Sequence, residues 1–182
     1  MSAEARLDDT VGGLAPATEG WFVVNVRESS WVTNDVLGSC CIFEGGDVSF
    51  PQLGYTIAVL EPGRSGGRYH GESNQEDFLV LRGECLLLIE GEERRLRTWD
   101  FVHCPPWTEH AFVGAGDRPC VIFMTGARTR EKSILYPRSE LALRHGAGVE
   151  TETTRPAEAY APFPERQPGK PDFTGLPWDS RS

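Results

Sequence analysis

An all-β sandwich or barrel is the fold class this sequence predicts. Short β-prone runs recur at regular spacing between turn signals, no helical period of comparable length interrupts them, and no glycine-rich phosphate loop is present. Residues 1–20, MSAEARLDDTVGGLAPATEG, show little periodicity and are expected as a flexible N-terminal arm. From Trp21 the texture changes. WFVVNV and SCCIFE are strand-prone, and LGYTIAVLEPG ends in a Pro-Gly turn signal. The richest stretch runs from Gln75 to Thr125, where apolar strands alternate with turns at Arg82-Gly83, Glu90-Gly91 and Ala115-Gly116-Asp117. Within it, Glu92-Glu93-Arg94-Arg95 reads as a charged hairpin surface. Beyond Thr125, YPRSELALRHG predicts a short helix closed by Gly146, and RPAEAY another opened by Pro156. The tail APFPERQPGKPDFTGLPWDS is proline-dense and extended, yet Phe163, Phe173 and Trp178 need a surface to cover, on the barrel or on a second subunit. The expected organisation is an arm at 1–20, a barrel at 21–126 and an extension at 127–182.

The 182 residues carry 27 Asp+Glu against 18 Lys+Arg, a formal net charge of −9. That charge repels phosphate backbones and anionic lipid surfaces, so neither nucleic acid nor membrane is an expected partner. The five cysteines, at positions 40, 41, 85, 104 and 120, include no C-x-x-C spacing and are expected as buried free thiols. The acidic N-terminal segment has no apolar run of the signal-peptide kind, and no later stretch approaches a membrane span, which makes a reducing cytoplasm the expectation.

The chemistry concentrates in two segments. His70, Glu72 and Glu76 share one parity, so on extended backbone the first two face the same way and the third rejoins them after a short turn. HCPPWTEHAF delivers His110 after a Pro-Pro turn, with His110 and Phe112 as inward positions. Together these four make a mixed nitrogen and oxygen site. Two carboxylates in a dry pocket need a cation or a shared proton, and a divalent ion supplies it. The competing reading is a metal-free barrel in which His70 and His110 are hydrogen-bonded and Glu72 is a solvated strand-end residue. Phe78, Val80 and Phe112 share the ligands' parity and are candidates for an apolar pocket wall, Phe78 and Phe112 for substrate contact. Arg64 and Arg68 flank the entrance, and Arg68 is the candidate for holding a substrate carboxylate. Tyr69, Asp77 and Glu109 have the opposite parity and point away from direct coordination, and His103 lies off the spacing.

These residues resemble the two motifs of the cupin superfamily. In the first, Gly63 leads to His70, Glu72 stands where a second histidine is usual, Glu76 matches the glutamate and Gly83 closes the hairpin. In the second, Trp99-Asp100 stands for the usual Gly-Asp, Pro105 matches the proline, Trp107 replaces a glycine and His110 matches the histidine, with Gly114 where an asparagine is common. The resemblance covers about residues 50–126. It implies a cupin-type double-stranded β-helix, or jelly-roll, barrel with an N-terminal strand arm, short C-terminal helices and an extended tail. It also implies a divalent metal ion on His70, Glu72, Glu76 and His110, with Mn, Fe, Zn and Ni undistinguished, and a homodimer. Glu72 would make the site electrically neutral with a divalent ion, tilting it toward harder ions.

Three kinds of function follow. A metal with open positions suits a dioxygenase-like enzyme acting on a small organic molecule; the same metal suits an isomerase or decarboxylase of a sugar or organic acid. A non-catalytic barrel that binds a small-molecule ligand is the third.

Overall fold

The computed structural model describes residues 3–46, 48–129 and 131–178. The predicted strands form, and they assemble into two facing sheets. The larger has seven strands in the order β10 (Phe101–Cys104), β7 (Glu76–Arg82), β12 (Cys120–Ala127), β5 (Leu53–Leu60), β4 (Gly38–Ile42), β3 (Ser30–Asn34) and β14 (Gln167–Pro168). The smaller has three, β11 (His110–Ala115), β8 (Glu84–Ile89) and β9 (Glu92–Arg97). Every pairing in both sheets is antiparallel. The short pair β6 (Gly71–Glu72) and β13 (Ile134–Leu135) lies beside the smaller sheet, joined to it by reciprocal hydrogen bonds between the backbones of His70 and His110. Together they make the β-barrel that the strand pattern predicts.

Alternation decides which residues meet inside. On β7, Phe78 and Val80 face the interior; on β12, Cys120, Ile122 and Met124; on β8, Cys85 and Leu87; on β11, Phe112. The residues between them face out and are covered by the extension. Leu88, Ala111 and Val113 on the back of the small sheet meet Leu141 and Ala142 of helix α1 (Glu140–Arg144). Trp31, Ile57, Val59 and Val121 on the back of the large sheet meet Leu176, with Phe173 and Trp178 ring to ring against Trp31 at 5.8 and 5.9 Å. The tail thus covers its own barrel. Burying Leu176 alone is worth about 2 kcal/mol, which offsets the entropy of ordering a proline-rich strand that has little to lose.

Local rules explain the boundaries. Ser139 caps α1 by accepting from the Ala142 N–H, and Gly146 turns left-handed after it at φ 69°. Helix α2 (Pro156–Tyr160) opens on its proline, as expected. Gly83 closes the β7–β8 hairpin at φ 78°, and a Cβ there would sit 2.7 Å from the Pro119 carbonyl oxygen, so no other residue fits. All five cysteines are free and buried. Burial pushes the thiols of Cys41 and Cys104 up to about 12.

The N-terminal arm departs from expectation. Its residues form a hairpin, β1 (Leu7–Thr10) with β2 (Gly13–Pro16), and Ala5 and Ala15 are buried. The overlooked signal is the turn Val11-Gly12-Gly13, pinned by the Thr10 hydroxyl on the Gly13 carbonyl. Among the described residues no helix is long and apolar enough to cross a membrane.

Candidate metal centre

At one end of the barrel interior, ligand-type side chains take the inward positions that apolar residues hold elsewhere. His110 opens β11 and faces His70 across the antiparallel bridge, which sets the two ring centroids 5.0 Å apart. Glu76 opens β7 on the opposing sheet and completes the group. Its Oε2 lies 3.7 Å from His70 Nε2 and 3.5 Å from His110 Nε2, and one ligand atom from each residue falls within 4.8 Å of the others. His110 is buried, while the side chains of His70 and Glu76 keep about a fifth of their surface.

Each histidine is oriented by its own backbone. His70 Nδ1 donates to the Arg68 carbonyl at 2.8 Å and His110 Nδ1 to the Thr108 carbonyl at 2.9 Å, with the acceptor two residues back in both cases. That bond fixes the tautomer and turns both Nε2 lone pairs toward Glu76. Burial holds both imidazoles below the ordinary histidine value, hence neutral near pH 7, and the same desolvation raises the Glu76 carboxyl to about 7. Two neutral imidazoles and one carboxylate short of positive charge form a donor set that fits a divalent cation. Ligands bonded at about 2.1 Å stand about 3–3.5 Å apart around such an ion, so the observed separations need little contraction.

Glu72, expected as a fourth ligand, is engaged differently. It is buried, but its Oε2 pairs with Lys132 Nζ at 2.5 Å, and it lies outside the converging group. The cation that a buried carboxylate requires is here an ammonium, delivered by the segment that β13 ties against β6. Nothing in the local sequence around Lys132 announces this; only the cost of burying Glu72 does.

Arg68 also departs from the free substrate clamp expected of it. Its Nε donates to the Ala159 carbonyl at 2.8 Å and its Nη1 to the Gly148 and Gly146 carbonyls, while the guanidinium lies 4.1 Å from the centre of the Phe163 ring. It braces the extension against the mouth of the barrel. Phe78 and Phe112 are placed as their parity indicates, 4.6 Å apart and beside His110. With Met124, Tyr160 and the backbone at Gly66 and Gly67 they line a cavity of about 140 Å³ over the three ligand-type residues, room for about five waters. Sequence reasoning missed Tyr136 and Tyr160. The Tyr136 ring packs 5.7 Å from His70 and 6.0 Å from Tyr160, so the extension contributes a wall of the site. His103 and Asp77 pair with each other away from the ligands, as their positions predict.

A β-barrel of two facing antiparallel sheets, with a histidine–glutamate–histidine cluster at one end of its interior, defines a small barrel with a candidate metal centre. Residues 56–126 match the family described as the cupin domain, the stretch that holds Glu76, His110 and most of the barrel strands. Two solved structures agree on the fold. A sugar phosphate isomerase of the cupin superfamily from Silicibacter pomeroyi is 20% identical, with a TM-score of 0.55 over 66% of this chain and 88% of that one. The polyketide cyclase RemF from Streptomyces resistomycificus is 13% identical, with a TM-score of 0.52 over 62% of this chain and 83% of that one. A third structure, from Acidithiobacillus ferrooxidans, is 25% identical with a TM-score of 0.44, and the match spans 46% of this chain and 55% of that one. No curated protein sequence matches the chain.

Proposed function

We propose that this protein is a metal-dependent enzyme acting on a small organic molecule, with the ion on His70, Glu76 and His110. The observation that carries the reading is the convergence of three ligand atoms within 4.8 Å at the floor of a cavity. A divalent ion on two imidazoles and one carboxylate supplies a Lewis acid with positions left open for a chelating substrate and for O₂, the arrangement of dioxygenase-type sites. The protein's own residues do the rest. The backbone carbonyls of Arg68 and Thr108 keep both Nε2 atoms available. Phe78, Phe112 and Met124 make one wall of the cavity apolar, which lowers the local dielectric and strengthens electrostatic effects inside it. The site carries one net positive charge, because Glu72 is neutralised by Lys132, and this favours an anionic or enolisable substrate over a neutral one.

The test is elemental analysis of the purified protein and two variants, followed by O₂ uptake in the presence of candidate organic acids. Glu76→Gln is expected to lose the bound metal and Glu72→Gln to retain it. Retention of metal by Glu76→Gln removes the proposed site. Turnover without O₂ uptake moves the assignment to isomerase or decarboxylase chemistry, in which the same residues serve to polarise a carbonyl.

A further inference from the structure

Two tryptophans occupy backbone positions that disfavour any side chain: Trp99 at φ 75° and Trp107 at φ 68°. Left-handed backbone costs a non-glycine residue about 1–2 kcal/mol, and both indoles are more than half exposed, so packing does not return that cost. Their surroundings differ. Trp107 forms one wall of an open groove of about 890 Å³ whose other walls include Lys132, Ile134, Tyr136, Thr154 and Pro156; among the described residues Lys132 is the one charged side chain lining it.

Glu72 fixes both walls of that groove. Its backbone carbonyl accepts from the Trp107 N–H at 2.7 Å, and its carboxylate takes Lys132 Nζ. Glu72 itself is buried, so the groove meets the ammonium and not the carboxylate. An ammonium has three donors, one of which goes to Glu72, and the Lys132 side chain is 51% exposed. An immobilised, half-exposed cation beside an exposed aromatic face is complementary to a ring that carries a negative charge, and its ordering is complete before the ligand arrives.

We propose that this groove is a binding site for a ring-bearing carboxylate, the ring stacked on Trp107 and the carboxylate on Lys132. The site is separate from the three metal-ligand candidates and does not depend on a metal. Glu72, at the altered motif position, is then a positioning residue for this groove.

Metal-stripped full-length protein is titrated with glucuronate and with benzoate, then with glucose and benzamide as their uncharged counterparts. The readouts are calorimetry and the indole N–H resonances, that of Trp107 being assigned by its loss in Trp107→Gly. The expected result is saturable binding of at least one carboxylate that shifts the Trp107 resonance, with the uncharged counterpart at least about tenfold weaker. Trp107→Gly is expected to weaken binding about tenfold while the melting temperature holds or rises, since glycine relieves the left-handed backbone. Trp99→Gly relieves the same backbone strain at a residue that does not line this groove and is expected to bind as the wild type does. Lys132→Gln keeps a donor for Glu72 and is expected to erase the preference for charge. Whichever carboxylate binds distinguishes a sugar acid from an aromatic acid. The proposal is overturned if neither carboxylate binds, if uncharged rings bind as tightly, or if Trp107→Gly binds like the wild type. Because the metal is absent throughout, none of these outcomes is confounded by failure of the metal reading.

Discussion

The two ends of the barrel interior are made by the same strands and the same alternation, yet they carry opposite chemistry. Along β7 the inward positions run Glu76, Phe78, Val80; along β12, in the reverse direction, Met124, Ile122, Cys120. One end is closed and apolar, with Val80, Cys85, Leu87, Cys120 and Ile122 all nearly inaccessible. The other holds His70, Glu76 and His110 under a cavity. A strand period places a side chain inside without regard to its polarity. What differs is how burial is compensated: at the closed end chiefly by apolar packing, at the mouth by Nδ1 hydrogen bonds, the Glu72–Lys132 pair and, in the proposed holoprotein, a cation.

The comparison is broken most severely at the closed end. Leu87→Ala leaves a void among residues that cannot collapse and is expected to cost about 2–5 kcal/mol in urea unfolding, with metal content unchanged. A smaller loss is expected at the mouth. Arg68→Met removes charge-assisted hydrogen bonds to carbonyls of the extension and should cost about 2–3 kcal/mol, with hydrogen exchange accelerating at residues 156–160 before it does in the sheets. Acceleration spread evenly over the barrel would mean that Arg68 is not a local brace.

The smallest effect has the opposite sign. Glu76→Gln is expected to stabilise the metal-free protein at pH 8 by about 1–3 kcal/mol, because a desolvated carboxylate is replaced by a neutral amide. The folded-state value of Glu76, about 7, stands above its ordinary 4.5. Its contribution to stability is therefore complete below 4.5 and lost as pH rises through 7. The two histidines are lowered, so theirs is present above 6.5 and lost below it. Glu76→Gln removes the first contribution outright and, by taking away a carboxylate that raises His70, lowers that imidazole further, so denaturation curves of the two proteins should diverge as pH rises from 4.5 to 7. Curves that stay parallel would show that Glu76 is solvated at the mouth.

Much of the architecture is legible in the sequence. The strands of the central region, the short helices at YPRSELALRHG and RPAEAY, and the apolar parity of Phe78, Val80 and Phe112 all follow from periodicity and turn chemistry, which act over a few residues. The N-terminal hairpin was not legible, because four-residue strands carry too little alternation to outweigh a polar composition. The fates of Glu72 and Arg68 were not legible either. Both bear charges whose partners lie far along the chain, Lys132 for one and the carbonyls of Gly148 and Ala159 for the other.

By itself the sequence determined a β-barrel and the inward-facing identity of His70, Glu76 and His110, since alternation and motif spacing are local properties of the chain. The tertiary structure decided which carboxylate stands beside the two histidines and which is neutralised by an ammonium. It also decided that an arginine at the entrance braces the extension and that Trp107 borders a groove. Those outcomes depend on which distant segment fills the space beside each buried charge, and electrostatic compensation acts through space between residues that no local pattern connects.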